Sequence, residues 1–331
     1  MLYIVVGGFY GDEGKGKITS YIATTKKIDA IARAGVGTNA GHTVVHDGIT
    51  YKLRTIPSGF VADHAKLFIG AGVYINEEIL FKEIETTGVQ GRIFLDNQTG
   101  VITEEHIARE KASKHLTDEI GSTCSGSGAA GVDRVLRQLK VAKDYETLQP
   151  LLTDVSAELN QILDDGGSVL LEGSQATFLS VYHGGYPHTT SKDVCAAAML
   201  SDVGIGPTRV DEVVIVFKAF VTRVGEGHLK NELDFDETKK RGWDEYGTVT
   251  GRPRRAAPFD FDLAKKACQL NGATQIALTK MDIVFPEVQG ATSEDQLSEN
   301  VKKFIVQVES KTGVPVKYLS TGPGSQEVIE L

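Results

Sequence analysis

The chain has 331 residues, of which 41% are hydrophobic and 24% charged, and its formal net charge is −9. These values are typical of a soluble globular protein with one large or two ordinary domains, and the negative charge argues against a broad surface for nucleic acid. No apolar run approaches the ~20 residues that span a membrane. The chain has three widely spaced cysteines, Cys124, Cys195 and Cys268. Their number and spacing argue against a disulfide framework or a zinc site and favour a reducing cytoplasm.

The first predicted element is a short buried strand, residues 2–6, whose sequence is apolar and rich in β-branched residues. Five glycines and several charged residues follow between Gly7 and Lys17, and residues 18–24 are predicted to be helical. A glycine-rich turn before a helix exposes backbone N–H groups at the positive end of the helix dipole. Asp12 and Glu13 add carboxylates that offer a Mg²⁺ ligand or a base. The loop therefore predicts a nucleoside triphosphate site.

Two common nucleotide-binding patterns nearly match this loop and then fail. The P-loop pattern fits Gly11, Gly16 and Lys17 but breaks at Ile18, where a Mg²⁺-binding hydroxyl is required. The dinucleotide pattern G-x-G-x-x-G fails because Thr19 stands at its last position. The loop is therefore related to a P-loop but lacks a standard Walker A sequence.

The sequence GDEGKGK, residues 11–17, resembles the signature of the adenylosuccinate synthetase family, which joins IMP to L-aspartate with GTP as co-substrate. The resemblance implies that GTP is bound by Gly11, Glu13, Gly14, Lys15, Gly16 and Lys17. It also implies that Asp12 is the catalytic base, contacts IMP, and binds one Mg²⁺ together with the carbonyl of Gly41. The chain is shorter than most members of this family, which implies that peripheral elements are absent.

Residues 29–46 predict a short strand, a glycine-rich loop and a second strand that starts at Thr43. Within them NAGHT, residues 39–43, resembles the family's second active-site loop. The resemblance implies that His42 stabilises the GDP leaving group, that Asn39 contacts IMP, and that Gly41 and Thr43 contact GTP. A histidine beside a transferring phosphate can donate a hydrogen bond to the oxygen on which charge develops.

Residues 51–60 and 67–75 are predicted as core strands and turns, residues 76–86 as a helix, and residues 92–96 as a buried strand. The segment 103–116 carries two histidines among charged residues, which predicts a solvated helix face.

A complete G-x-G-x-x-G pattern spans residues 126–131 and opens a predicted helix. Taken alone it predicts a dinucleotide site, and an NAD-dependent oxidoreductase is therefore one alternative function. However, the segment before it is not the apolar strand that a Rossmann unit requires. By resemblance this segment is the family's loop for the IMP phosphate, with Thr123 as a ligand and serine at position 125 in place of an arginine. The resemblance also implies a homodimer in which Arg137 reaches the partner's IMP.

Residues 140–165 are predicted to form an amphipathic helix and residues 168–177 a strand that ends in a polar loop. Ligands of open α/β sheets bind at the carboxyl ends of strands. The resemblance implies that Gln175 reads the hypoxanthine ring, since one amide both donates and accepts, and that Thr190 binds the IMP phosphate. Residues 212–227 begin with the most continuous apolar run of the chain and predict a central parallel strand.

Three arginines lie within four residues at positions 252–255. Guanidinium groups bind carboxylates through two parallel hydrogen bonds, and L-aspartate has two carboxylates. The segment resembles the family's aspartate loop, departing from it at positions 249 and 253. The residues implied to bind L-aspartate are Val249, Thr250, Arg252 and Arg254, and Arg254 is also implied to contact IMP.

A strand at residues 275–279 is followed by the sequence Thr-Lys-x-Asp. Asp282 can accept from N1–H and N2–H of guanine, which adenine does not offer, and Lys280 can lie along the base plane. These residues favour GTP over ATP. A helix is predicted at residues 294–312, and Ser320 and Gly322 resemble a family loop that closes over the guanine.

We therefore expect one α/β domain over residues 1–331, with a mostly parallel central sheet flanked by helices. The resemblance implies GTP-dependent conversion of IMP and L-aspartate to adenylosuccinate through 6-phosphoryl-IMP, with no nucleic-acid or membrane partner. A regulatory GTP-binding protein that uses the first loop and residues 279–282 is a second alternative.

Overall fold

The computed structural model describes residues 1–247 and 251–331. The strands are β1 Leu2–Gly7, β2 Ala30–Arg33, β3 His42–His46, β4 Ile49–Leu53, β5 Lys66–Ile69, β6 Tyr74–Ile75, β7 Ile93–Asp96, β8 Gly100–Val101, β9 Leu152–Thr153, β10 Val169–Ala176, β11 Glu212–Lys218, β12 Phe220–Arg223, β13 Arg255–Pro258, β14 Gln275–Thr279, β15 Val316–Ser320 and β16 Val328–Glu330. The α-helices are α1 Lys15–Thr25, α2 Glu77–Thr87, α3 Glu104–Ala112, α4 Ser127–Val135, α5 Val155–Asp164, α6 Ala196–Val203, α7 Phe235–Lys240, α8 Phe261–Asn271, α9 Met281–Val284 and α10 Glu299–Thr312.

Ten strands form one sheet in the order β16-β15-β14-β11-β1-β10-β2-β5-β7-β9. Neighbouring strands run parallel throughout, except that β16 is antiparallel to β15 at one edge. The predicted mostly parallel α/β sheet is confirmed. Strand β1 lies between β10 and β11 near the middle, so the loop that follows it opens at the centre of the sheet.

The side chains of the central strands alternate between two cores, one on each face of the sheet. In β1, Leu2 and Ile4 join one core, whereas Tyr3 and Val5 join the other. Helices α6, α8 and α10 contribute apolar residues to the first core, and α1 and α2 to the second. Burial of an aliphatic side chain stabilises the fold by ~1.5–3 kcal/mol. Strands buried on both faces explain the continuous apolar runs in the sequence.

The prediction of a helix over residues 140–165 is wrong in its first half. Residues 142–144 and 146–151 form 3₁₀ turns, and β9 follows before α5 begins at Val155. Pro150 lacks an N–H and lies inside the second turn. Asp154 then starts the helix, because its side chain accepts a hydrogen bond from the N–H of Ala157 at 2.9 Å.

The prediction of a merely solvated helix face at residues 103–116 is also wrong for two side chains. His106 is buried, with 3.1 Å between its Nε2 and Oδ2 of Asp133, and Glu110 is buried against the start of α4. Helix α4 packs across α3 and covers these polar groups. Among the described residues, no helix is long and apolar enough to cross a membrane.

Candidate active site

A cavity of about 480 Å³ opens at the carboxyl ends of the central strands. It is lined by residues from the first loop, the 39–43 loop, strand β10 and the arginine segment. The sequence-predicted site residues that line it are Gly11, Asp12, Gly14, Lys15, Gly16, Asn39, Gly41, His42, Thr43, Thr123, Gln175, Thr190, Arg252 and Arg254. The fold thus brings together residues that are up to 243 positions apart, the separation of Gly11 from Arg254.

The first loop turns sharply between β1 and α1. Gly11, Asp12 and Gly14 all have positive φ angles, of 98°, 62° and 84°. Gly14 caps helix α1, which begins at Lys15 without a side-chain cap. The N–H of Lys17 donates to the carbonyl of Gly14 at 3.1 Å. Among the described residues, the N–H groups of Lys15 and Gly16 therefore remain available at the positive end of the helix dipole, which is the arrangement that binds phosphate.

The carboxylate of Glu13 stabilises this loop through contacts with the loop's own residues. It accepts hydrogen bonds from the N–H groups of Phe9 at 3.1 Å and Gly11 at 2.7 Å, and it pairs with the ammonium of Lys15 at 3.0 Å. The Glu13 side chain is buried and faces its own loop instead of the cavity. Its structural role is therefore to hold the turn, whereas Lys15 carries the positive charge that lines the cavity.

Asp12 forms an ion pair with Arg254, with 3.2 Å between Oδ2 and Nε. Its side chain is 29% exposed. Burial would raise the pKa of Asp12, but Arg254 and the nearby Lys218, Lys280 and Lys15 together lower it below the ordinary value. Asp12 is therefore ionised near neutral pH, which is the form that can accept a proton or bind a metal ion.

His42 lies against a buried ion pair between two neighbouring strands. Nδ1 of His42 is 2.5 Å from Oε1 of Glu172 and 2.6 Å from Nη1 of Arg33. Arg33 and Glu172 face each other in the register of β2 and β10, with 3.2 Å between Nη1 and Oε2. Glu172 also accepts a hydrogen bond of 2.6 Å from the N–H of Ser58. These contacts fix the orientation of the imidazole ring, and Nε2 is left without a hydrogen-bond partner among the described residues.

The pKa of His42 is lowered to about 4, first by burial and then by the positive charge of Arg33. Burial alone would raise the pKa of Glu172, but Arg33 and His42 hold it well below its usual range. The pair is therefore a neutral imidazole beside an ionised carboxylate at neutral pH.

Three residues predicted to bind IMP form one hydrogen-bonded chain. Nε2 of Gln175 donates to Oδ1 of Asn39 at 2.5 Å, and Nδ2 of Asn39 donates to Oγ1 of Thr190 at 3.4 Å. Oε1 of Gln175 is buried and has no partner among the described atoms. Gln175 has a φ angle of 60°, which turns its side chain at the end of β10. The chain presents an amide and a hydroxyl to the cavity.

The G-x-G-x-x-G segment opens helix α4 as predicted, but its N–H groups already have an acceptor. The carboxylate of Glu110 accepts hydrogen bonds from the N–H groups of Gly126 at 2.8 Å, Gly128 at 2.7 Å and Ala129 at 3.0 Å. A pyrophosphate would need these same groups. This arrangement argues against the dinucleotide site. Thr123 is exposed in the preceding loop, with its hydroxyl 3.2 Å from that of Ser125.

Two of the four residues predicted to bind L-aspartate, Arg252 and Arg254, line the cavity. Arg252 also donates to the carbonyl of Gly121 at 2.8 Å, which connects the arginine segment to the loop before Thr123. Val249 and Thr250 lie outside the described residues.

Seven predicted residues do not line the cavity: Glu13, Lys17, Arg137, Lys280, Asp282, Ser320 and Gly322. Lys17 departs most clearly from expectation, since its ammonium is directed to the C-terminal loop instead of a phosphate site. It donates to Oγ of Ser320 and to the carbonyl of Gly322. Burial lowers the pKa of Lys17 to about 8. Arg137 is exposed just beyond α4 and donates to the carbonyl of Val135.

The segment predicted to read guanine is attached to the first loop. Oγ1 of Thr279, at the end of β14, donates to the carbonyl of Glu13 at 2.6 Å. Lys280 follows with a φ angle of 57° and lies 3.4 Å from Glu245. The structure therefore places Thr279 beside the phosphate turn, with Lys280 and Asp282 just beyond it.

Several cavity or supporting residues were missed from the sequence. Arg33 and Glu172 support His42, and a charged residue inside each of two apolar strand sequences was the signal for such a pair. Arg223 lines the cavity and lies over the ring of Tyr10, with 4.6 Å to the ring centroid. Glu110 gave no local signal, because its partners are 16–19 residues away.

The donor set at the cavity fits Mg²⁺. This ion prefers oxygen ligands and retains several waters. The carboxylate of Asp12 is ionised, and both Asp12 and Gly41 line the cavity. A carboxylate and a carbonyl oxygen beside a phosphate-binding turn are the ligands that such an ion takes in nucleotide sites.

The parallel sheet, the glycine-rich turn at the start of α1 and a cavity lined by Asp12, His42 and two arginines are typical of a nucleotide-dependent α/β enzyme. The family model for adenylosuccinate synthetase matches residues 4–144 and 139–289. The chain is 54% identical to adenylosuccinate synthetase from Methanocaldococcus jannaschii over 331 residues, which covers 99% of this chain and 96% of that protein. The corresponding protein from Archaeoglobus fulgidus is 50% identical over 328 residues, covering 99% and 97%.

Among solved structures, fully ligated adenylosuccinate synthetase from Plasmodium falciparum matches with a TM-score of 0.92 and 25% identity over 99% of both chains. The chain therefore belongs to the adenylosuccinate synthetase family and is a GTP-dependent ligase. The resemblance found in its sequence is confirmed.

Proposed function

We propose that this chain joins IMP to L-aspartate at the cavity, with hydrolysis of GTP to GDP and phosphate. The observation that carries this proposal is the convergence of the ionised Asp12, the Nε2 atom of His42 and the Gln175–Asn39–Thr190 chain on one cavity. The reaction needs three groups: an acid–base group, a group that stabilises the departing GDP, and an amide that recognises the purine. Asp12, His42 and Gln175 supply them in that order.

In the first step, Asp12 accepts the N1 proton of IMP, and the resulting charge on O6 attacks the γ-phosphorus of GTP. The bond from phosphorus to the bridging oxygen breaks, and GDP leaves with 6-phosphoryl-IMP as the other product. His42 stabilises the charge on the departing GDP by donating from Nε2, which requires that the bound phosphates raise the pKa of His42 so that both ring nitrogens are protonated. Lys15 and the loop N–H groups hold the phosphates. Asp12 and the Gly41 carbonyl would hold Mg²⁺, which would supply charge neutralisation at the phosphates.

In the second step, the amino group of L-aspartate attacks C6 and displaces the phosphate, giving adenylosuccinate. Phosphorylation is needed because a purine oxo group leaves poorly and phosphate leaves well. Arg252 and Arg254 line the cavity and supply guanidinium groups for the carboxylates of aspartate. Arg254 must give up its ion pair with Asp12 when L-aspartate binds, before the first step, because Asp12 is more basic without that pair.

The proposed quaternary state is a homodimer in which Arg137 contacts the IMP of the partner. Arg137 is exposed outside the cavity of its own chain, next to exposed apolar residues of α4. We also place the enzyme in the cytoplasm, in keeping with its three unpaired cysteines.

Phosphate release from GTP, measured with and without IMP and L-aspartate, tests this function. We expect release only when both are present, together with an absorbance change of the purine. A regulatory GTP-binding protein would release phosphate regardless of IMP and aspartate. An NAD-dependent oxidoreductase would release none and would bind NADH. Either of these two results would refute the proposal.

A further inference from the structure

The ammonium of Lys17 is almost entirely enclosed by one loop of the C-terminal region. Lys17 lies in the first turn of α1 and its side chain is 8% exposed. Its Nζ donates to Oγ of Ser320 at 2.7 Å, to the carbonyl of Gly322 at 2.5 Å and to the carbonyl of Glu327 at 2.8 Å. An ammonium has three donors and no acceptor, so these three oxygens use its full capacity.

The loop that Lys17 holds connects β15 to the antiparallel edge strand β16. It is called the 320–327 loop here, and it includes Ser320, the last residue of β15. Within the loop, the carboxylate of Glu327 accepts from the N–H of Gly324, and, apart from those of Lys17, the other hydrogen bonds of the loop join neutral groups. The N–H of Thr321 donates to the carbonyl of Glu327 at 3.0 Å, and the N–H of Ser325 donates to the carbonyl of Val45 at 2.9 Å. Lys17 therefore supplies a charged contact at the point where the two ends of this loop meet.

A second link joins the same part of the molecule to the phosphate turn. Thr279 donates to the carbonyl of Glu13, within the turn that ends at the start of α1. Strands β14 and β15 are neighbours, so the loops that follow them lie side by side. Both segments assigned to guanine are thus fastened to the phosphate turn, one through Thr279 and the other through Lys17.

We propose that Lys17 is a positioning residue for guanine recognition, which fixes the 320–327 loop against the phosphate-binding helix. A guanine nucleoside triphosphate could then be held at its base and its phosphates by one rigid unit. The inference rests on the proposed function, since it takes the 320–327 loop and residues 279–282 as the guanine site. It differs from the sequence-based expectation, in which Lys17 contacted a phosphate.

Replacing Lys17 by methionine keeps most of the side-chain volume and removes all three donors. Three buried oxygens then lose their donor. The free-energy cost of leaving them unpaired is larger than the net contribution of an ordinary hydrogen bond. We expect KM for GTP to rise about tenfold or more, with KM for IMP and L-aspartate nearly unchanged. The affinity for inorganic triphosphate, which has no base, should also be unchanged.

Lys26→Met is the matched control. Lys26 lies at the other end of the same helix and pairs with Glu330 of β16 at 2.6 Å, outside the 320–327 loop. It also connects α1 to the C-terminal strands, so a general loosening of that contact would affect both variants. We expect Lys26→Met to leave KM for GTP unchanged.

Ser320→Ala provides an independent test, because the buried ammonium of Lys17 keeps two of its three acceptors in this variant. It removes one of the three acceptors and should raise KM for GTP in the same direction but by less. The effects of Lys17→Met and Ser320→Ala should be less than additive, because both disrupt one contact.

Equal KM values for GTP in the wild type, Lys17→Met and Ser320→Ala would overturn the inference. So would a parallel loss of affinity for inorganic triphosphate, which would make Lys17 a phosphate ligand. If Lys17→Met does not fold, the Ser320→Ala result decides. Wild-type protein that does not turn over GTP would refute the proposed function instead, which is a distinguishable outcome.

Discussion

Asp12 adopts a φ angle of 62°, in the left-handed region that non-glycine residues rarely occupy. Gln175 and Lys280 share this conformation, with φ angles of 60° and 57°, and each follows or ends a strand of the central sheet. Such conformations cost of order 1–3 kcal/mol each and persist where the surrounding structure imposes them. Three residues that the sequence assigns to ligands are thus held in strained conformations, and two of them, Asp12 and Gln175, line the cavity.

Asp12→Asn should lower kcat by at least ~10³, because it removes the base and the charged ligand together. The measurement is steady-state phosphate release at saturating GTP, IMP and L-aspartate. Asp47→Asn is the control, since Asp47 also has a positive φ angle, of 50°, but its side chain is 85% exposed and lies outside the cavity. Near-normal turnover by Asp12→Asn would contradict the role of Asp12.

The histidine–glutamate pair predicts a loss of stability in mild acid. The pKa of His42 is lowered from 6.5 to about 4 in the folded protein. The unfolded chain therefore binds more protons between these values, so stability is complete above pH 6.5 and falls as the pH drops toward 4. Glu172, whose pKa is also lowered, acts in the same direction at lower pH.

Urea unfolding of the ligand-free protein at pH 7 and pH 5 measures this effect. From the shift of His42 we expect a contribution of about 2 kcal/mol between these two pH values. His42→Gln should reduce the difference by that amount, whereas His115→Gln, at an exposed histidine, should not. An identical pH dependence in wild type and His42→Gln would show that His42 does not titrate in this way.

The motif at the start of helix α4 does not have the role that its sequence pattern predicts. The strand–loop–helix unit at residues 2–25 and the strand predicted within residues 168–177 follow the predictions, because their apolar runs and glycines are local signals. The G-x-G-x-x-G motif also opens a helix, but its N–H groups bind a glutamate from α3. That contact depends on tertiary structure and leaves no pattern in the sequence.

Glu110→Ala should destabilise the protein by ~1–3 kcal/mol, because three N–H groups at the start of α4 lose their acceptor. Thermal unfolding is the readout, and Glu105→Ala, at an exposed position on the same helix, is the control. If the motif instead served a dinucleotide, Glu110→Ala would leave stability unchanged and increase NADH binding.

The sequence predicted the class of fold and 14 of the 35 described residues that line the cavity, but not the strand order. The order depends on which strands pair across long distances, such as β1 with β10 and β11. Of the residues predicted to bind guanine, Lys280 and Asp282 follow β14 and Gly322 follows β15. The contact of Lys17 with residues 320–327 could not be predicted, because it depends on the assembled sheet.

The exposed apolar residues beside Arg137 predict the dimer interface. Val135 is 70% and Leu136 is 57% exposed, both next to the arginine proposed to reach the partner's IMP. Leu136→Asp should shift the protein toward monomer in light scattering and lower kcat. Arg137→Gln should remain dimeric with a raised KM for IMP. A Leu136→Asp variant that is monomeric and fully active would contradict a shared site.

The proposed reaction depends on attack of the purine O6 on the γ-phosphate of GTP, with Asp12 as the base. This attack can be followed by turnover of IMP labelled with ¹⁸O at O6 and mass analysis of the released phosphate. We expect one ¹⁸O atom in each phosphate released, because the C6–O bond breaks in the second step. Phosphate without the label, formed while adenylosuccinate accumulates, would contradict it.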